Sequence, residues 1–177
     1  GTVNTPNKLT LLRILLVPVF VVVLCWNFRG HDLVALVIFI LASLTDLLDG
    51  KIARKYNLIT DFGKFMDPIA DKLLVTAALL VFVERHMMPA WVAIVVVARE
   101  FIVSALRLVA ASNGRVIAAG WSGKVKTAST MVCICLMLLG LPEAVNVVCW
   151  VVILVTTAYS GGEYLVKNRD VLDLSNI

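Results

Sequence analysis

Charge is scarce in this chain: Asp, Glu, Lys and Arg together make up 16% of it, against 60% hydrophobic residues. A mean hydropathy of +0.95 sets it apart from an ordinary soluble domain. No strand-like alternation of polar and apolar residues runs along it, which excludes a membrane β-barrel and leaves helices as the way to cross a bilayer. No basic stripe interleaved with aromatics lies outside the apolar runs, so nucleic acid is excluded as a partner. A P-loop is missing too, because Gly123-Lys-x-Lys-Thr127 does not follow the pattern G-x-x-x-x-G-K-[ST]. Nor is there an internal repeat, which argues against an inverted-repeat transporter. Cys25, Cys133, Cys135 and Cys149 all fall in apolar runs and read as small buried hydrophobes. Cys133 and Cys135 point apart on a helix, so neither zinc nor redox chemistry is expected of them.

What is present is a set of long apolar segments. A hydrocarbon core of roughly 30 Å needs about 20 apolar helical residues to cross it. Six spans are expected, at about 9–26, 33–52, 66–83, 89–111, 125–141 and 144–164. The fold class is therefore all-α integral membrane, one membrane-embedded catalytic domain over 1–177, with a short lead at 1–8 and a loose tail at 170–177. No small-residue cleavage site follows the first apolar run, so it is expected to stay as a span. Pro18 predicts a kink in it. Arg29 and Arg85 are the only Lys or Arg expected in the loops of one side. The other side carries Lys8, Lys51, Arg54, Lys55, Lys64, Arg115, Lys124, Lys126, Lys167 and Arg169. The positive-inside rule puts that side, with both termini, in the cytoplasm. His31 and His86 lie in the opposite loops. Tyr159, Tyr164, Lys167 and Arg169 read as an interfacial belt.

The acidic residues that interrupt this pattern are concentrated at 46–71. Asp46 and Asp49 share one face of a helix, and Asp67 and Asp71 share a face of the next. Asn57 suits the turn between them, so an antiparallel hairpin would bring the two acidic faces together. Carboxylates that close need protons or cations, and hard oxygen ligands favour Mg²⁺, Mn²⁺ or Ca²⁺. Gly50 and Ala53 lie on the first acidic face and Gly63 on the second, leaving room for a bulky ligand against the backbone. Arg54 presents a planar fork suited to phosphate. The combination points to a diphosphate substrate. Asp61 is one acid too many and is expected to favour the third helix's N-terminus. Lys72 is a candidate counter-charge for Asp71.

The stretch matches D-x2-D-G-x2-A-R-x8-G-x3-D-x3-D without departure, at Asp46, Asp49, Gly50, Ala53, Arg54, Gly63, Asp67 and Asp71. It resembles the signature of the CDP-alcohol phosphotransferases. The resemblance implies that family's fold and two divalent ions, Mg²⁺ or Mn²⁺, held by Asp46, Asp49, Asp67 and Asp71. On the rim of that set, Asp71 is expected to be the general base. Gly50, Ala53, Arg54 and Gly63 are expected at the nucleotide and its diphosphate. The opening Pro6-Asn7-x2-Thr10-x2-Arg13 resembles the family's P-N-x2-T-x2-R, which implies that the face carrying Asn7, Thr10 and Arg13 lies near the nucleotide. Read without the family, Arg13 is a cytoplasmic anchor snorkelling to the interface.

The segments Arg99-Glu-Phe-x-Val-Ser-x-Leu-Arg107 and Gly123-Lys-x-Lys-Thr127 resemble the bacterial phosphatidylglycerophosphate synthases of that family, with Thr130 in place of a glutamine common there. The resemblance implies transfer of a phosphatidyl group from CDP-diacylglycerol to sn-glycerol 3-phosphate, releasing CMP. It also implies a bacterial plasma membrane location and a homodimer. A phosphorylated acceptor needs cations that do not touch the diphosphate, and Arg99, Arg107, Lys124 and Lys126 are the candidates. Glu100 either pairs with one of these arginines or is free. Two alternatives stand beside this reading: a phosphatidylinositol-phosphate synthase of the same family, and a divalent-cation transporter, which leaves Gly50, Ala53, Arg54 and Gly63 without a role.

Overall fold

A computed structural model describes residues 5–58, 60–118 and 120–172. Six helices follow one another: α1 (Thr5–Cys25), α2 (His31–Lys55), α3 (Asp61–Glu84), α4 (Ala90–Ser112), α5 (Trp121–Leu138) and α6 (Glu143–Lys167). Three of them, α1, α2 and α6, are long and apolar enough to cross a membrane. The helices start earlier than hydropathy alone suggests, because their polar first turns are helical too. Thr5–Lys8 of the expected lead belongs to α1, and α5 begins at Trp121, which puts Lys124 and Lys126 inside its first two turns. Asn4, whose side chain is of a type that caps helices, lies outside the described residues.

Short connections make the chain run up and down. The starts of α1, α3 and α5 therefore meet the ends of α2, α4 and α6 at one end of the bundle. α1 packs along both α2 and α3, while α6 packs along α4 and α5. Away from that end, Phe20, Leu24, Phe39, Leu74, Phe82, Val92, Ile134 and Ile153 form a single dry core. The outward side chains are also apolar, with Leu15 67% exposed, Phe101 72% and Leu108 73%, as suits a surface that faces lipid. At the far end Arg85 donates to Asp32 at 2.8 Å and to the Leu24 carbonyl at 2.6 Å, tying α1, α2 and α3 together. Cys25 is exposed at the end of α1, not buried as expected, because its helix ends there; all four cysteines are free thiols.

The α2–α3 turn sets the acidic faces against each other. Asn57 takes φ +53°, the left-handed region that asparagine tolerates. With it there, the Leu58 N–H bonds the Ala53 carbonyl at 2.9 Å and closes the end of α2. Thr60 then caps α3 by accepting from the Gly63 N–H at 3.1 Å. Asp61, expected just before α3, is its first residue, where a negative charge favours the helix N-terminus. The Thr60 hydroxyl also donates to Asn7 Oδ1 at 2.9 Å, which fixes the start of α1 to the start of α3.

Two expected features are corrected at the C-terminal end. Residues 170–172, expected to begin a loose tail, are packed: Val171 is buried against Val103, Leu106, Ala110 and Tyr164. Asp170 pairs with Arg115 at 2.8 Å. The remainder of the tail, 173–177, lies outside the described residues. Tyr164 is buried as well, because its ring turns into the bundle and not to an interfacial belt.

The turn gives a direct test. A β-branched residue at a left-handed position costs roughly 1–2 kcal/mol, whereas glycine carries no such cost. Asn57→Val is expected to lower the thermal midpoint of the detergent-solubilised protein and Asn57→Gly to leave it unchanged or raised, as followed by circular dichroism.

Candidate active site

The end of the bundle where the acidic faces meet has one cation at its centre, supplied by α1. Arg13 has no solvent exposure. Its Nη1 lies 2.5 Å from Asp46 Oδ1 and 3.1 Å from Asp71 Oδ1. Its Nη2 lies 2.9 Å from Asp49 Oδ2 and 2.7 Å from Asp67 Oδ1. A single planar fork thus joins the acidic pairs of α2 and α3. The anchoring expected for Arg13 is wrong, because α1 starts eight residues before it and its face turns inward between α2 and α3. Thr10, one turn earlier on the same face, is buried too. Its hydroxyl oxygen lies 3.0 Å from Asp49 Oδ2 and 2.7 Å from Asp67 Oδ1, with one proton to give.

The four carboxylates are not equivalent. Asp49 is almost fully buried, and its Oδ1 is a buried acceptor with no hydrogen-bond partner. Asp46, Asp67 and Asp71 each keep about a third of their side-chain exposure and line a cavity. One guanidinium cannot balance four carboxylates, and an unpaired carboxylate oxygen in the interior is costly. An all-oxygen donor set with a spare buried lone pair suits a hard divalent cation. Among the described residues no three acidic, His or Cys side chains stand around a common open point. Arg13 itself fills the place where the four oxygens converge.

The expected small residues and neighbours surround this cluster. A Cβ on Gly63 would meet Thr60 Oγ1 at 3.4 Å and Asn7 Oδ1 at 3.5 Å, ordinary contact distances where α3 starts beside α1. Arg54 is exposed, and its Nε donates to the Gly50 carbonyl at 3.1 Å. Ala53 is half-buried beside it.

The cavity, of about 660 Å³, runs from Asp46, Asp67 and Asp71 to a second, cationic wall. That wall contains Lys72, Arg99, Arg107, Lys124, Lys126 and Lys167. Glu100 organises it. It forms a close ion pair with Lys126 and accepts from Arg99 Nη1 at 3.2 Å. Lys72 Nζ lies 3.7 Å from it and donates to Ser104 at 2.5 Å. Lys72 is thus no counter-charge for Asp71, its sequence neighbour, because adjacent residues face apart on a helix. Lys126 is buried and engaged by Glu100, while among the described residues Arg107 donates to the neutral Tyr164 hydroxyl, at 3.1 Å. A Cβ on Gly161 would come within 2.9 Å of Arg99 Cγ, so the bare α6 backbone is what lets the Arg99 stem pass. Sequence reasoning placed Arg13 on the site-facing side of α1 only through the family resemblance and did not foresee its bridge to the four aspartates; it gave Lys72 and Tyr164 other roles and missed Gly161. Ser160 and Tyr164, four apart on one face of α6, were the signal for an inward-facing stripe.

The family model for CDP-alcohol phosphatidyltransferase matches residues 3–158. A Bacillus subtilis (strain 168) protein named CDP-diacylglycerol–glycerol-3-phosphate 3-phosphatidyltransferase is 44% identical, over 98% of this chain and 99% of its own. A Salmonella paratyphi A protein of the same name is 42% identical, over 96% of this chain and 98% of its own. A probable phosphatidylglycerophosphate synthase of Mycobacterium tuberculosis (strain CDC 1551 / Oshkosh) is 39% identical, over 93% of this chain and 81% of its own.

The Glu100 hub is open to a stability test. Removing one partner of a largely buried ion pair costs about 3 kcal/mol, because the other charge is left unpaired. Glu100→Gln is expected to destabilise by about that much. Adding Lys126→Met to it should recover most of the loss in a double-mutant cycle of unfolding midpoints.

Proposed function

The chain belongs to the CDP-alcohol phosphatidyltransferase family, and on that premise we propose that it transfers the phosphatidyl group of CDP-diacylglycerol to sn-glycerol 3-phosphate. The products are phosphatidylglycerophosphate and CMP. The observation that carries this is the 39–44% identity to relatives of that name over most of the chain. A cavity with an acidic wall facing a cationic one supports it. An acceptor that brings its own phosphate needs the second wall, and a free alcohol such as inositol or serine does not. The test is CMP release from CDP-diacylglycerol across glycerol 3-phosphate, inositol phosphate, inositol and serine. Turnover with inositol phosphate alone would give the phosphatidylinositol-phosphate synthase reading instead. Metal flux into vesicles without nucleotide would favour a transporter.

In this reading Asp46, Asp49, Asp67 and Asp71 hold two divalent ions, Mg²⁺ or Mn²⁺. When bound, such ions neutralise charge on the diphosphate and on the departing phosphate. Asp49, buried at the floor, is a ligand only. Asp71, at the edge of the set and open to the cavity, takes the proton from the glycerol hydroxyl. The freed oxygen forms a bond to the β-phosphorus, and the bond from that phosphorus to the CMP oxygen breaks, with the electron pair leaving on CMP. Gly50, Ala53 and Gly63 leave space for the nucleotide, Arg54 reaches its diphosphate, and Asn7 and Thr10 set the edge of α1 beside it. Arg107 and Lys124 bind the acceptor's phosphate directly. Arg99 and Lys126, held by Glu100, shape the wall around it.

The proposal extends to the membrane. All six helices form one membrane-embedded domain in a bacterial plasma membrane, with both termini and the site on the cytoplasmic face, where basic side chains outnumber those of the far loops. The acyl chains of the donor stay in the bilayer and enter between helices. The assembly is a homodimer, which cross-linking in native membranes would test.

Two measurements follow from the division of the cavity. Arg107→Ala is expected to raise the KM for glycerol 3-phosphate tenfold or more, since a charge-assisted hydrogen bond is worth roughly 1.5–3 kcal/mol. The KM for CDP-diacylglycerol should barely change. Asp71→Asn keeps one oxygen ligand but cannot take the proton, so it should still bind Mn²⁺ and CDP while losing roughly 10²–10⁴ in rate. Calorimetry against Asp49→Asn, which should lose Mn²⁺ affinity as well, separates base from ligand.

A further inference from the structure

We propose that Arg13 is the carboxylate cluster's own exchangeable counter-ion: its guanidinium holds the four aspartates together and must withdraw when divalent ions take the same oxygens. The inference rests on the metal-binding reading above. Arg13 Nη1 and Nη2 each bridge the two helices, the first from Asp46 to Asp71 and the second from Asp49 to Asp67, over 2.5–3.1 Å. The oxygens engaged are the four that converge between α2 and α3, where an ion bridging the two helices would sit. A guanidinium and a divalent cation cannot share that point, because like charges a few ångströms apart away from water repel strongly. Arg13 has no exposure, so this contact is built into the packing of α1 and is no surface accident. Its charge is permanent, so no change of proton state releases it.

Two details fit an exchange better than a fixed structural bridge. The Arg13 Nε is buried without a partner, so only the two ends of the fork are held. Asp49 Oδ1 also has no partner, so the fork does not satisfy the cluster. One positive charge among four negative ones leaves a deficit that more highly charged ions remedy. The bridge is good enough to keep α2 and α3 together and poor enough to be replaced.

A fixed bridge and an exchanging one differ in what loss of the guanidinium does to ion affinity. If Arg13 competes, removing its charge tightens binding; if it orients the carboxylates as a permanent part of the site, removal weakens it. The experiment titrates Mn²⁺ into detergent-solubilised protein, following free Mn²⁺ by electron paramagnetic resonance with no nucleotide or lipid substrate. Thermal unfolding is measured in parallel in EDTA and in Mn²⁺. Arg13→Gln is expected to bind Mn²⁺ at least tenfold more tightly than wild type, to unfold at a lower temperature in EDTA, and to regain most of that loss in Mn²⁺. Arg13→Lys, which keeps the charge but not the fork, should fall between. Unchanged or weaker Mn²⁺ binding by Arg13→Gln overturns the proposal. So does failure of both variants to fold in Mn²⁺, since an exchanged counter-ion is dispensable once the ions are in. Wild-type protein that binds no Mn²⁺ overturns the metal reading itself, a result distinct from either.

Discussion

The repulsion among four carboxylates at the junction of α2 and α3 is the constraint on which the rest of the structure depends. They sit at the ends of apolar helices, where water screens them poorly and each unpaired charge is expensive. The fold meets this by threading α1 between the two acidic helices, so that Arg13 arrives fully buried at their centre. Thr10 adds a hydroxyl one turn away, and the Thr60–Asn7 hydrogen bond pins the start of α1 to the cap of α3. The dry core lower in the bundle then has a defined register to pack against. The acidic site and the helix order are one solution to one electrostatic problem.

How much of this was legible in the sequence depended on how local each feature is. The spacing of Asp46, Asp49, Asp67 and Asp71 declares two helical faces, and Asn57 declares the turn, because helix periodicity and left-handed tolerance are properties of neighbouring residues. Six helices were legible for the same reason, though their polar first turns were not, since hydropathy does not register caps such as Thr60. The sequence left Arg13 between an anchor and a place on the face near the nucleotide, because an arginine near a helix start says nothing by itself about what lies beside that helix. The pairing of α1 with both α2 and α3 is tertiary information.

Similar reasoning applies to the cationic wall. Arg99, Arg107, Lys124 and Lys126 were legible as candidate cations for a phosphorylated acceptor. Their division of labour was not. Glu100 is adjacent to Arg99 in sequence, but its closest partner is Lys126, on another helix. Tyr164 looked like a belt residue because it follows an apolar run near the chain's end, while its ring in fact turns to Arg107. Lys72 looked like a partner for Asp71 and instead bridges to α4 through Glu100 and Ser104.

The two walls also explain each other. A site built from carboxylates alone would repel both phosphates of a donor and a phosphorylated acceptor. A site built from cations alone would hold them without activating a hydroxyl. Placing the four aspartates on α2 and α3 and most of the cations on α4, α5 and α6 lets one cavity present both signs, provided they are kept apart. Glu100 serves that separation: it gathers Lys126, Arg99 and Lys72 around itself, so that these cations are engaged away from the aspartates that Arg13 holds. Among the described residues Arg107 pairs with no carboxylate and donates to the Tyr164 hydroxyl instead. One lining thus carries aspartates held by a buried guanidinium and a cation held by a neutral hydroxyl, so an anion entering the cavity meets the second wall without displacing a carboxylate.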